Sequence, residues 1–218
     1  MRTILMASSA VCSLVVTIAL AANLPQESVA PDCVKIAKPN PSTGYTYQHV
    51  DSTGRRSSYT DHWETVTDAG SRVRTTREGG TTIQINRHHI ANDVVVLDES
   101  RKMTANGGVI DSTVFRPGIV LDPGLHACAG RSWKIPSVTA SYRSKQNNAS
   151  AASPTGTLRI VAIREWVTVP AGRFETVHYV RTSQSTDDYW KSIEHGVVVK
   201  HVGKLPGAAV SEVLLSIK

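Results

Sequence analysis

The sequence has few of the features from which common active sites are built. It contains no Gly-x-Ser-x-Gly elbow and no His-Glu-x-x-His, so the nucleophile turn of the α/β-hydrolases and the paired zinc histidines of the metalloproteases are both missing. No glycine-rich stretch sits at a strand-to-helix junction, and the helices that a nucleotide fold needs are lacking. No Lys/Arg run is interleaved with aromatics, which argues against nucleic acid as a partner. Beyond the first 30 residues no apolar run is long enough to span a bilayer. A Leu-Ala-Gly-Cys-like lipobox is absent, since Cys12 lies too early and Cys33 follows Pro31-Asp32. A lipidated N-terminus is therefore not expected. Nothing in the chain implies a cofactor. Aromatic residues make up only 6%, but hydrophobic residues reach 40%, enough for a modest core.

What is present begins with a targeting segment. Met1–Ala30 reads as a secretory signal peptide. Arg2 supplies the positive end, Ile4 to Leu20 form the apolar run, and Ala19-Leu20-Ala21 and Ser28-Val29-Ala30 both offer cleavage sites. The alternative is an uncleaved anchor, for which the run is at the short limit. Residues 31–218 have the length of a single β-rich domain, periplasmic or secreted, with no transmembrane span after cleavage. The formal charge is +6; without residues 1–21 the chain has 23 basic and 18 acidic residues, a net +5. In an exported protein that balance favours attraction to anionic envelope polymers or lipids. Two cysteines then remain, Cys33 and Cys128. An even count in an oxidising compartment predicts one disulfide; two unpaired small hydrophobes are the alternative.

The body of the chain alternates apolar and polar residues between turns spaced about every 10–14 residues, the signature of an antiparallel meander with little helix. Pro31–Thr43 reads as extended. Tyr45, Tyr47 and His49 alternate with Thr46, Gln48 and Val50, and Asp51-Ser52-Thr53-Gly54 makes a turn. Tyr59, Asp61, Trp63 and Thr65 form one face of the next strand. Asp68-Ala69-Gly70-Ser71 and Glu78-Gly79-Gly80 turn the chain into strands at 72–77 and 81–90. Val94–Leu97 is continuously apolar, hence a more buried strand. Asp98–Val109 leaves open a helical turn at Glu99–Met103. Arg116–Gly130, with Pro117-Gly118 and Pro123-Gly124, reads as a loop crossing between sheet halves. Ser144–Thr157 is polar and low in complexity, a flexible excursion that carries the sequon Asn148-Ala149-Ser150. Val210–Lys218 reads as a closing strand paired in the sheet.

The strongest local signal is a β-hairpin over 158–182 with its corner at Pro170–Arg173. Val167 and Val169 alternate with Thr168. Pro170 has no N–H for a ladder and closes the strand, and Gly172 can adopt the positive φ of a turn. Val-Thr-Val-Pro-Ala-Gly-Arg-Phe at 167–174, Tyr189-Trp190-Lys191-Ser192, Gly196-Val197-Val198-Val199-Lys200 and Gly130-Arg131-Ser132-Trp133 resemble motifs of a bacterial envelope family. Its members are domains of unknown function related to the half-barrel lipoprotein carriers of the Lol type. The resemblance is best over residues 115–218. It implies that the meander curls into an open or half barrel, and it carries over no catalytic residues.

Candidate chemistry is sparse. His88-His89 invites a metal, but neighbours on a strand point to opposite faces, and polar pairing explains them as well; no metal site is assigned. His178, His195 and His201, with Glu194 nearby, could cluster or simply pair with polar neighbours. Cys128 beside His126 could be a thiol nucleophile, but the disulfide explains it more simply. Asp187-Asp188 with Glu194 could be an acid/base set or a hairpin loop. Tyr45, Tyr47, Trp63, Trp133, Trp166, Phe174, Tyr179 and Trp190 are core residues or, where they share a concave face, the walls of a pocket for an apolar chain or a glycan ring. The reading that results is a non-enzymatic binding module. It would hold an apolar or lipid-like ligand, or dock an envelope protein, in a curved sheet. A secreted hydrolase and an assembly factor acting through an exposed edge strand are the alternatives.

Overall fold

The structure, a computed structural model, describes residues 32–65, 72–78, 82–205 and 208–218. The expected signal peptide and the turns at 68–71 and 79–80 lie outside the described residues. All described secondary structure is β. The strands are β1 (Cys33–Lys35), β2 (Gly44–Val50), β3 (Arg56–Thr65), β4 (Arg72–Glu78), β5 (Thr82–Ala91), β6 (Val94–Thr104), β7 (Val109–Pro123) and β8 (His126–Cys128). They continue as β9 (Ser132–Ile135), β10 (Val138–Ser144), β11 (Asn148–Ser153), β12 (Gly156–Val169), β13 (Gly172–Thr182), β14 (Thr186–Ser192), β15 (Val198–Leu205) and β16 (Ala208–Ile217).

Fourteen strands form one sheet in the order β11-β10-β7-β6-β5-β4-β3-β2-β16-β15-β14-β13-β12-β9, with every pairing antiparallel. The C-terminal strand β16 lies between β15 and β2 and joins two meanders into one surface. The outer strands β11 and β9 do not pair with each other, so the barrel stays open. Its seam is strapped by a kinked two-stranded ribbon. β9 pairs with β12 up to Ile135↔Gly156, and the same two chain segments resume pairing as β10 and β11 from Val138↔Ser153. Between them Pro136 and Pro154 supply no ladder N–H. On one side of this kink β12 bonds to β13; on the other β10 bonds to β7. Glycine is required at 156, because a Cβ there would run into the carbonyl oxygen of Thr182.

The 158–182 hairpin forms as its sequence predicts. β12 and β13 pair from Thr157↔Thr182 to Val169↔Gly172, leaving Pro170-Ala171 as the turn, and Gly172 has a φ of +140°. Two register breaks between Ile160 and Glu165, with Arg164 at φ +57°, interrupt the ladder. The Thr176 hydroxyl donates to the Glu165 carbonyl across the break at 2.7 Å. The breaks divide the hairpin between two hydrophobic clusters. Its base (Leu158, Ile160, Val177, Tyr179) packs with Val34, Ile36, Val94, Val96 and Val120. Its tip (Val167, Val169, Phe174) packs with Tyr45, Tyr47, Val197, Val199 and Leu214.

Three sequence expectations are corrected. Glu99–Met103 is not a helical turn but part of β6, because its register continues to Thr104 against β5 and to Met103 against β7. Arg116–Gly130 is not a crossing loop: β7 runs through Pro117-Gly118 to Pro123, held by β6 across register shifts at Val95/Val96 and Leu97/Glu99. Ser144–Thr157 is not a loose excursion, since Asn148–Ser153 is strand β11, paired along its length with β10. Val94–Val96 are buried as expected, and Asp61 points inward while His62 and Glu64 point out.

The Cys33–Cys128 disulfide is formed, with Cys33 and Cys128 directly opposite each other in the β1–β8 ribbon. It leads the chain into Ile36, which is buried and donates its N–H to the Leu125 carbonyl at 2.7 Å, while the Ala37 N–H bonds to the Ile193 carbonyl at 2.8 Å. Gly196 sits beneath this strap at φ +66°, and a Cβ there would strike the Ala37 carbonyl oxygen. Gly196→Ala is expected to lower stability by more than the roughly 1–2 kcal/mol of the left-handed backbone alone, read as a drop in urea midpoint at unchanged slope.

Candidate functional site

The inward face of the sheet is not uniformly apolar. Between the two clusters lies a hollow of about 160 Å³ lined by Tyr47, Asp61, Trp63, His88, Tyr179 and Tyr189 together with Asp122, Arg181, Lys191 and Glu212. Strand alternation places them. Tyr59, Asp61 and Trp63 alternate inward on β3, and Asp187, Tyr189 and Lys191 on β14. The result is a ring of carboxylates and cations set among aromatic walls.

Lys191 is 2% exposed. A buried ammonium requires partners, and they include the Asp122 carboxylate, with which it forms an ion pair, and the Pro123 carbonyl at 2.8 Å. Asp61 is also 2% exposed, and buried His88 lies 5.5 Å from the Trp63 ring. One cross-strand row runs through three strands: Tyr179 stacks on Tyr189 at 5.0 Å, and Tyr189 on His201 at 4.3 Å, each within 7° of parallel. His201 Nε2 faces Asp187 at 3.3 Å, and the Ser185 hydroxyl donates to the same carboxylate at 2.6 Å. Next in the row, Glu212 lies 3.8 Å from His49.

Burial holds the phenol of Tyr179 well above the ordinary tyrosine range, with the Asp122 charge adding to it. Burial, reinforced by Asp187, pushes Tyr189 up to about 12, against the opposing pull of Arg181, which also hydrogen-bonds to it. Between about pH 10 and pH 12 the unfolded chain releases protons that the folded chain keeps, so stability falls as pH rises through that window. Urea midpoints measured across it are expected to decline steeply for wild type and less for Tyr179→Phe/Tyr189→Phe. An equal decline in both proteins would show that these two phenols are not the cause.

Of the aromatics singled out in the sequence, Tyr47, Trp63 and Tyr179 line the hollow. Tyr45 is fully buried in the second cluster, its hydroxyl accepting the Asn40 N–H at 3.2 Å, and Phe174 is buried beside it. Trp133 leans on the first cluster and donates to the Asn92 carbonyl at 2.9 Å, with Arg131 4.8 Å from the ring centre. Trp190 stacks on His178 at 4.4 Å and donates to Glu165 at 3.0 Å. Trp166 is 56% exposed, with Arg173 over its ring at 4.7 Å.

The residues considered for hydrolysis do not converge. Asp187 belongs to the inward row with His201, whereas Asp188 bonds to His178 at 2.9 Å beside Trp190, on the opposite face of β14. The Glu194 side chain is 84% exposed, and His195 rests edge-on against Phe174. Cys128 is spent in the disulfide and offers no thiol beside His126. His88 and His89 separate as strand neighbours do, His88 toward the hollow and His89 to Asp98 at 2.6 Å. Sequence reading missed the charged lining of Asp61, Asp122, Arg181, Lys191 and Glu212. Asp61 and Lys191 could have been found from their inward parity between aromatic neighbours.

No family model matches the chain, and no curated protein matches it. Among solved structures, a Bacteroides fragilis protein described as exported, with a YmcC-like fold, aligns with 85% of this chain and 100% of its own. The identity is 11% and the TM-score 0.37.

Proposed function

We propose that residues 31–218 form a non-enzymatic binding module of the bacterial envelope, and that the hollow of its curved sheet holds a small polar ring. The observation that carries this reading is the character of the hollow: about 160 Å³, with Trp63, Tyr47 and Tyr179 beside carboxylates and cations. A cavity of roughly 150 Å³ accommodates a benzene-sized group, whereas drug-sized ligands need about 300 Å³ or more. An extended acyl chain fits the half-barrel resemblance, but most of the inward face is filled by the two side-chain clusters. Aromatic faces with carboxylates suit a glycan ring, whose hydroxyls donate to Asp61 and Glu212. Export is supported by the leader-like N-terminus and by the disulfide, which persists in oxidising compartments.

Native mass spectrometry of the protein purified from its own envelope tests the ligand class. Bound mass corresponding to a polar ring of hexose size is expected, and its occupancy is expected to fall in Trp63→Ala. A fatty-acyl adduct in its place would return the lipid-like reading and overturn the polar one.

A second reading, an assembly factor that docks an envelope protein by strand addition, is favoured by β11. This outer strand is uncharged, lacks proline within Asn148–Ser153 and is exposed at all but Ser153. Edges are ordinarily guarded by charge, proline or short length, as the other edge is by Lys134 and the four-residue length of β9. Under this reading Ala151→Pro abolishes co-purification of a partner that wild type retains, and an unchanged pull-down removes it.

A further inference from the structure

Among the described residues, Arg181 and Lys191 are the cations that line the hollow, and they differ in their partners. Lys191 is neutralised by Asp122. Arg181 hydrogen-bonds to Tyr189 but forms no ion pair with any carboxylate among the described residues, and its Nε–H is out of solvent with no acceptor. The carboxylate opposite it in the ladder, Asp187, is turned to His201 and Ser185 instead. A guanidinium that lines a partly desolvated hollow without a carboxylate partner lacks what a planar oxyanion supplies: opposite charge and acceptors matched to its outer N–H groups.

We infer that the hollow takes a sugar acid, with the ligand carboxylate on Arg181. This rests on the reading of the hollow as a polar-ring site and adds its charge. The arrangement divides the ligand's groups by chemistry. The carboxylate draws the Arg181 guanidinium. Ring hydroxyls donate to Glu212 and Asp61, which as carboxylates only accept. The apolar face of the ring lies against Trp63. The net basic balance of the chain draws an acidic glycan toward the site.

Calorimetric titration of the full-length exported protein with D-glucuronate, D-glucose and glucose 6-phosphate tests this. Glucuronate is expected to bind about tenfold or more tightly than glucose, the range for hydrogen bonds to a charged group. Arg181→Gln should erase that preference, and Arg181→Lys should keep only part of it because the fork is lost. The comparison of sugars on wild type needs no variant to fold. Equal affinity for glucuronate and glucose, or a preference that survives Arg181→Gln, overturns the inference and leaves the polar-ring reading intact. Glucose 6-phosphate binding as tightly as glucuronate overturns the carboxylate assignment in favour of a general anion site. Binding of none of the three overturns both.

Discussion

Removal of the Cys33–Cys128 disulfide is expected to cost the fold roughly 4–5 kcal/mol. The bridge closes a loop of 95 residues, and chain-entropy estimates for loops of this order approach 5 kcal/mol. The bond does more than shorten the unfolded chain. It anchors β1 against β8, and through that ribbon it fixes Val34 and Ile36 in the first hydrophobic cluster. A domain whose net stability is about 5–15 kcal/mol would lose a large share of it. Cys33→Ser/Cys128→Ser compared with oxidised wild type in urea should show a much lower midpoint, with some increase in slope because the unfolded chain expands once the crosslink is gone. A loss under about 1 kcal/mol would mean that the strap is held by its backbone bonds to Leu125 and Ile193 alone.

The second large effect concerns the buried ion pair at the floor of the hollow. Asp122→Ala is expected to destabilise by about 3–5 kcal/mol, because it takes away the carboxylate that neutralises the buried Lys191 ammonium. Lys191→Met should cost less than Asp122→Ala, since Asp122 is the more exposed partner. Lys191→Met/Asp122→Ala should recover much of the loss, because no buried charge is then left without its counterpart. The coupling energy from that cycle is the quantity to measure. Additive single effects would contradict the pairing.

The two expectations differ in how visible they were in the sequence. The disulfide was legible because a cysteine count needs no geometry. The ion pair was not, because Asp122 and Lys191 are 69 residues apart and nothing local links them. The same contrast runs through the fold. Strand alternation identified β2, β3, β12 and β13, and the Pro170-Ala171-Gly172 corner was legible from backbone chemistry alone. The seam ribbon was missed because its defining event, Pro136 and Pro154 falling in the same unpaired gap of a ladder, is a coincidence of two distant breaks. β11 was missed because Asn-Ala-Ser-Ala-Ala-Ser carries no alternation; its strand state comes from pairing with β10 rather than from propensity. In the hollow, the aromatics stood out in a chain with few of them, yet their destinations diverged. Tyr47, Trp63 and Tyr179 share the inward face, while Trp166 takes the solvent side by parity with Val167. The charged lining was overlooked because inward positions are read as apolar by default, and Asp61 and Lys191 break that rule.

Residue-resolved chemical shifts on adding a hexose-sized sugar acid read the occupancy of the hollow residue by residue. The largest changes are expected on the Trp63 indole N–H, the Arg181 side chain and the backbone amides of β3 and β14 around Asp61 and Lys191. Changes concentrated along β11, or none in the hollow at saturating sugar, would contradict the polar-ring reading.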